Sequence, residues 1–436
     1  MKRYDTYKDS GVQWLGEIPG HWGCVPLKRL INKIESGVSA NGSTSQAASE
    51  NEFGVLKTGC VSFRVFNPFQ NKLVVGEECK RLACPVRGGT IIVSRMNTPE
   101  LVGACAFIDK DYPNLFLPDR LWQVYFCDKT SAKFLHWMLN SQPVRNRYAQ
   151  ICIGSSSTMQ NISQSQFSET IIPLPPLSEQ HSIVSFLDAK CGKIDEWVTK
   201  KQKEVEHLQE LKQRVIADAV TRGLNPHVKM KATNIPWLKE IPEHWENKRL
   251  AAMFTDDIET NKDFQYKRAF KFNYGCLVPK NEIGDPDEYR DVYVKYSIVN
   301  TGDILINGLN LNYDFISQRV ACAPSDGIIT SAYVVCRPRP NVNYDYYTYL
   351  FKAMDSIKLF HGMGTGIRLT LSFKELKKQM LPVPPLEEQK QIVAYIVDKT
   401  SKIDNLIVNI TKEIECIKEY KQRLISDVVT GQIKVC

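Results

Sequence analysis

The sequence predicts a mixed α/β protein written as two copies of one plan, each copy a globular stretch that leads into a long helix. Three observations carry this. The string "PLPPLSEQHSIV" from Pro173 returns as "PVPPLEEQKQIV" from Pro382, 209 residues later. The string "WLGEIPGHW" from Trp14 returns as "WLKEIPEHW" from Trp237. Between these strings, short apolar runs alternate with amphipathic segments, the pattern of strands and helices within one domain.

The repeat runs well past the quoted strings. At the same spacing, Glu179 and Gln180 match Glu388 and Gln389, and Ile183 and Val184 match Ile392 and Val393. "KID" at Lys193 to Asp195 returns at Lys402 to Asp404, and "KQR" at Lys212 to Arg214 returns at Lys421 to Arg423. The chain therefore divides into a first globular domain over 1–172, a first long helix over 173–223, a second globular domain over 224–381 and a second long helix over 382–436. Inside the globular domains, 31–172 and 251–381 look unlike each other.

Each long helix starts where proline lets it. Pro175-Pro176 and Pro384-Pro385 fix φ and keep the preceding residues extended. Glu179, like Glu387 and Glu388, then lies in the first turn, at the positive end of the macrodipole. Each helix can run about 45 residues, roughly 65 Å, with Gly192 a place for a kink in the first copy. Gly223 and Gly431 are natural stops. Apolar residues fall at alternating spacings of three and four, which is a coiled-coil seam. In the first copy it holds Val184, Leu187, Cys191, Ile194, Val198, Val205, Leu208, Val215 and Ala219. In the second it holds Val393, Ile396, Ile403, Ile407, Ile410, Ile414, Ile417, Leu424 and Val428. Lys201, Lys212 and Lys421 interrupt the seam, where a lysine either sets register or lays its stem along the surface with its charge in water.

In the globular stretches "GGTIIVSR" (88–95) and "TGDILING" (301–308) read as strands. Residues 131–149 and 344–360 read as amphipathic helices, the second with Tyr346, Tyr349, Leu350, Ala353, Met354 and Ile357 on one core-facing side.

Composition narrows the class. The 436 residues are 43% hydrophobic and 24% charged, so the chain folds, and no apolar run approaches the ~20 residues of a membrane span. The polar N-terminus "MKRYDTYKDSG" shows no secretory signal, and thirteen scattered cysteines without a CxxC fit reduced thiols, so a cytoplasmic location is expected. A net charge of +8 is compatible with a polyanionic partner.

Catalytic patterns are sparse. "NPFQ" at Asn67 is only superficially like the flipping-pocket string of an amino-methyltransferase, and no glycine-rich strand–turn–helix accompanies it. "GMGTG" at Gly362 has the wrong spacing for a phosphate loop, and no GxxxxGK[ST] is present. The seven histidines show no ligand spacing; His21 and His244 sit in the repeated HW strings and read as structural. No catalytic or metal-binding residue is expected.

Polar and basic side chains gather instead in loops of the dissimilar stretches. The first domain offers Lys57, Arg64, Arg95, Asn97, Thr98, Ser156 and Thr158. The second offers Lys271, Asn307, Asn310, Asn312, Arg319, Thr365 and Arg368. Arginine grips guanine edges, asparagine pairs with adenine, and lysine and hydroxyls hold phosphates, so these are the candidate DNA-binding residues.

The duplicated "PLPPLSEQ"/"PVPPLEEQ" helix starts, the "WLGEIPGHW"/"WLKEIPEHW" openings and "VSRMNTPELVG" resemble the DNA-specificity subunit of type I restriction–modification systems. The resemblance covers nearly the whole chain. It implies two target-recognition domains held apart by two long helices that pair antiparallel, with a pseudo-two-fold. The N-terminal string would pack near the end of the second helix. It further implies a bipartite site in double-stranded DNA, one half read by each domain, with the helices as a ruler. Two methyltransferase subunits and restriction subunits would be the partners. S-adenosylmethionine and ATP with Mg²⁺ would belong to them, leaving this subunit non-catalytic. Candidate spacer and docking residues are Glu179, Gln180, Ile194, Val198 and Leu208, with Glu388, Gln389, Ile403, Ile407 and Ile417. The alternative is a single-chain enzyme that methylates or cuts DNA, for which no donor site is written.

Overall fold

The computed structural model describes residues 2–43, 46–156, 159–280, 285–366 and 369–435. The chain divides into two compact units, one of residues 1–201 with 412–436 and one of residues 202–411. The division passes through both long helices, Leu177–Arg222 and Leu386–Val429, so each unit holds one half of each.

The first unit centres on an antiparallel sheet in the order Cys105–Phe107, Ile91–Ser94, Leu121–Phe126, Ile31–Ser36. Successive side chains of Ile91–Ser94 serve two cores. Ile91 and Val93 join Trp22, Trp122, Phe134 and the helix residues Ile183, Leu187, Leu424 and Val428. Ile92 joins Leu56, Val61 and Val86 in the second core. A strand covered on both faces reads as an unbroken apolar run, which is why "TIIV" does not alternate. A second sheet, in the order Asn71–Leu73, Gly54–Leu56, Tyr112–Phe116, Pro85–Val86, contains one parallel pair.

The second unit repeats the central sheet with other residues. Its order is Phe254–Thr255, Val334–Pro338, Ile304–Ile306, Val320–Cys322, again antiparallel. Ile304 and Ile306 enter a core with Trp245, Tyr346, Leu350, Val220 and Ile392, while Leu305 enters another with Phe270, Leu277 and Val299. The dissimilar stretches thus carry one sheet plan. Helix Tyr344–Ser356 buries Tyr346, Leu350, Ala353 and Met354 as expected. Ile357 departs from that face and is 58% exposed, because the helix stops at Ser356 and Lys358 turns left-handed at φ 59°.

Both long helices begin from an edge strand. Ile171–Leu174 pairs with Gly23–Pro26, and Met380–Val383 pairs with Glu246–Arg249. The repeated HW strings then lock onto the first helical turn. Trp22 Nε1 donates to Glu179 Oε2 at 3.0 Å, and His21 Nε2 lies 2.6 Å from Glu179 Oε1. In the second unit Trp245 Nε1 donates to Glu388 Oε2 at 3.0 Å, with His244 Nε2 2.7 Å from the same oxygen. Both indoles are fully buried. Burial works to raise the Glu179 carboxyl, but donors from Trp22, His21 and Tyr4 outweigh it and leave it below its usual value. In the first unit the N-terminal segment also reaches the end of the second helix: Tyr7 Oη donates to the Gly431 carbonyl at 3.0 Å. Gly431, at φ 78°, lies so close to Pro19 and Trp22 that a Cβ there would clash.

The halves of the two helices run antiparallel in each unit. Lys421 Nζ meets Asp195 at 2.6 Å in the first, and Lys212 Nζ meets Asp404 at 2.7 Å in the second. These are matching positions of the repeat, so Lys212 and Lys421 are charge-paired to the opposite helix. Val184, Leu187, Cys191, Val198, Ile414, Leu424 and Val428 are buried in the first unit, and Ala219, Ile396, Ile403 and Ile410 in the second. Gly192 lies within an uninterrupted helix.

Candidate nucleic-acid interface

In each unit the loop that leaves the central strand is the place where predicted residues gather. In the first unit Ile91–Ser94 runs into Arg95, whose N–H bonds the Arg120 carbonyl at 3.1 Å. The Arg95 guanidinium sits 5.9 Å from the Trp122 ring centroid, a cation held over an aromatic face, and its Nε is buried without a partner. Met96–Asn97 adds to the hairpin Ile153–Ser156/Met159–Asn161, with Asn97 opposite Gln160. The Asn97 side chain donates to Ser94 Oγ at 3.3 Å and accepts from Thr98 N at 2.9 Å, which leaves Thr98 exposed at the turn. Ser156 ends the hairpin's first strand, and Thr158 lies outside the described residues. The loop is gripped from within: buried Arg145 donates to the carbonyls of Val102 and Glu100, both at 2.6 Å.

Lys57 lines a hollow of about 260 Å³ with Lys72 and Arg120, two cations that the sequence reading missed. Nothing in their spacing marks them; strand pairing of Asn71–Leu73 with Gly54–Leu56 brings Lys72 near Lys57, and Arg120 comes from the turn before strand Leu121–Phe126. Arg64 goes elsewhere. It stands at φ 61°, its carbonyl bonds His136 Nε2 at 2.9 Å, and its Nη1 donates to Gln422 Oε1 on the second long helix at 2.8 Å. Burial pushes its pKa down from the usual guanidinium value.

In the second unit three predicted loops converge. Leu371 N bonds the Gly308 carbonyl at 2.9 Å, which joins the loop carrying Thr365 to the loop after Ile304–Ile306. The hairpin Phe270–Asn273/Cys276–Pro279, which carries Lys271, turns at Tyr274-Gly275 against the Gln318 side chain. Asn307 accepts from Leu309 N at 3.2 Å. Asn310 is exposed at φ 51°, and Asn312 buries its Oδ1 without a partner. Arg319 is fully enclosed. Its guanidinium donates to the carbonyls of Asn307 and Leu309 at 2.9 Å and of Asp314 at 2.6 Å, so it braces the loop from inside. The Ser317 hydroxyl and N–H, with Ile316 N–H and Arg319, hold the Asp314 carboxyl down at about 2 against the opposing effect of burial. Thr365 is exposed, and Arg368 lies outside the described residues. The braced loop presents Tyr313, at 80% exposure, and Ile316, at 92%.

The spacer and docking candidates divide by environment. Gln180 is fully buried and binds Thr130 Oγ1 and Ser131 N; Gln389 is buried and donates to the Pro384 carbonyl at 2.8 Å. Glu179 and Glu388 hold the HW clamps. Val198 and Ile403 are buried, and Ile194, Leu208, Ile407 and Ile417 are half-buried along the seam. The large apolar side chains that the helices leave exposed are others, among them Leu211, Leu406, Val408 and Tyr420. Leu211 and Tyr420 occupy the same position of the repeat. Among the described residues no three His, Cys, Asp or Glu side chains gather as a metal site, and no helix is long and apolar enough to cross a membrane.

The chain is similar to known proteins over almost its full length. The proposed MjaX specificity subunit of a type I restriction enzyme in Methanocaldococcus jannaschii is 23% identical over 439 residues, covering 97% of this chain and 96% of that one. The EcoBI specificity subunit of Escherichia coli is 22% identical, covering 64% of this chain and 62% of its own. A chain from a solved type I R-M system superposes with a TM-score of 0.67 at 17% identity, over 95% of this chain and 99% of the other. The HsdS subunit from Thermoanaerobacter tengcongensis superposes with a TM-score of 0.51 at 18% identity, over 95% and 98%. The description "Type I restriction modification DNA specificity domain" matches residues 52–207 and 242–416, more than half of the sequence, and the chain belongs to that family.

Proposed function

We propose that this chain is the DNA-reading subunit of a type I restriction–modification complex, and that each unit reads one half of a bipartite site in double-stranded DNA. One observation carries the reading: two units share a frame, while the loops leaving their central strands differ in sequence and bracing. Phosphate contacts position such a protein, and side chains at base edges specify the sequence. Lys57, Lys72 and Arg120 suit the first task; Arg95, Asn97, Asn310 and Asn312 suit the second. The long helices act as the spacer. Two methyltransferase subunits dock along them, with Leu211, Leu406, Val408 and Tyr420 as the apolar contacts, and restriction subunits join that core. S-adenosylmethionine and ATP with Mg²⁺ bind to those partners, this chain performs no chemistry itself, and the complex works in a prokaryotic cytoplasm. No observation favours a single-chain methyltransferase or nuclease.

The test is a cassette exchange. Replacing residues 251–381 with the matching stretch of a relative should change one half of the methylated sequence and leave the other, read by methylation mapping in a host that carries the partners. A change in both halves defeats the two-reader scheme. Removing one heptad from each helix, Val198–Glu204 and Ile407–Glu413, tests the spacer. Seven residues at 1.5 Å shorten it by roughly 10 Å. At about 3.4 Å per base pair the half-sites should approach by about 3 base pairs.

A further inference from the structure

A cleft in the second unit has a filled counterpart in the first. Gln213 and Gln422 occupy the same position of the repeat, as do Ile216 and Ile425, and each pair follows a lysine bound to the opposite helix. In the first unit the chain supplies its own guanidinium there, with Arg64 Nη1 2.8 Å from Gln422 Oε1. In the second unit Gln213 and Ile216 instead line a cavity of about 330 Å³ with Ile316 and Asp355. Asp355 is only 5% exposed; its Oδ2 accepts from Arg319 N at 2.7 Å, and its Oδ1 has no hydrogen-bond partner. A buried carboxylate oxygen left unpaired costs about as much as a lost hydrogen bond to a charge, so a donor that reached it would be favoured.

We propose that this cleft is the docking point for an arginine side chain of a partner protein, whose guanidinium takes the place beside Gln213 and Asp355 that Arg64 takes beside Gln422. The volume is that of a small binding pocket and far below what a duplex needs. Arginine suits it because its planar fork offers donors to a carboxylate and an amide oxygen together. The other charges define the flanks. Lys212 is committed to Asp404, while Lys352 and Lys358 line the same cleft. The docking segment therefore carries carboxylates beside its arginine. The two units are not equivalent here: in the first the position is plugged by the chain itself and in the second it is open. The cleft shares Ile316 and the Arg319 N–H with the loop of the candidate nucleic-acid interface, but its test needs no DNA.

The experiment uses the full chain with ¹³C-labelled isoleucine methyls and acetyl-arginine amide as the probe. The methyls of Ile216 and Ile316 should shift on titration, with no shift for acetyl-lysine amide. Ile425 should stay silent in the native chain and respond in Arg64→Ala, where the plug is gone. Asp355→Asn, and separately Gln213→Leu at an exposed position, should abolish the response, with unchanged signals from Ile306 and Ile392, in the core of the second unit, reporting that the fold is intact. Silence at Ile216 and Ile316 up to the solubility limit would overturn the proposal. So would shifts that survive both substitutions, or an Ile425 that stays silent in Arg64→Ala. A response to free arginine but not to the blocked amide would also overturn it, as the mark of a small-molecule site.

Discussion

The loop over residues 95–104 and the loop over residues 307–319 leave corresponding strands of two similar sheets, yet they are braced from different directions. In the first unit Arg145, on helix Gln142–Ile151, reaches across to hold the carbonyls of Glu100 and Val102. In the second unit Arg319, at the far end of its own loop, holds the carbonyls of Asn307, Leu309 and Asp314. The clamps do not vary in this way: Trp22 with Glu179 and Trp245 with Glu388 share the same donor, the same acceptor and a 3.0 Å distance. A buried carbonyl needs a donor but is indifferent to which residue supplies it, so loops can diverge while remaining rigid. A clamp that starts a long helix must meet one fixed turn, so its residues recur.

The largest expected effect is on that shared part. Trp22→Ala and Trp245→Ala each remove a fully buried indole and its bond, and each should cost about 3–5 kcal/mol. Hydrogen exchange should show protection lost around Phe134 in the first variant and around Tyr346 in the second. Equal loss at both places in either variant would break the two-unit comparison. Next come the braces. Arg145→Met and Arg319→Met leave loop carbonyls without donors, at a cost of about 1–3 kcal/mol where water can reach them afterwards. Arg319→Met should cost more, because three carbonyls lose a donor instead of two; urea unfolding of the two variants decides the order.

Reading residues sharpen the comparison on the DNA side. If Arg95 meets a base edge, Arg95→Ala should weaken specific binding by about 1–3 kcal/mol and relax one position in the half-site of the first unit alone. Unchanged affinity and unchanged selectivity in a salt-matched binding assay would remove it from the interface. A smaller, pH-dependent effect belongs to Glu179. Its folded carboxyl lies below the usual value, so it stabilises the first unit above its unfolded pKa, and that contribution is lost as pH falls through the folded one. Melting between neutral pH and pH 3 should therefore fall less steeply in Glu179→Gln than in the native chain; parallel curves would dismiss the carboxylate. The smallest effect is at the seam. Lys212→Met and Lys421→Met break equivalent ion pairs with partly exposed aspartates, and each should cost about 0.2–1 kcal/mol, less in high salt. A several-fold difference between the two would show that the repeat is unequal at this height.

Much of this molecule follows from the linear pattern alone. Proline before a helix start, an acidic first turn, a three-four apolar seam and a positive-φ glycine at the end are local rules, and they located both long helices and their stops. The repeat at a spacing of 209 residues showed that the halves share a frame, and the pairing of Lys212 with Asp404 and Lys421 with Asp195 occupies positions that repeat in sequence. Tertiary structure decided the rest. The common sheet order of two dissimilar stretches depends on burial of both faces of a central strand, which many apolar sequences satisfy equally well. Lys72 joins Lys57 only through strand pairing, and Arg120 only through the turn before Leu121–Phe126. Arg319 looked like a reading residue because arginine in a polar loop has no local signature for inside or outside. Only folding shows that its two terminal nitrogens are spent on three carbonyls, and that Arg64 is spent on a glutamine more than three hundred residues away.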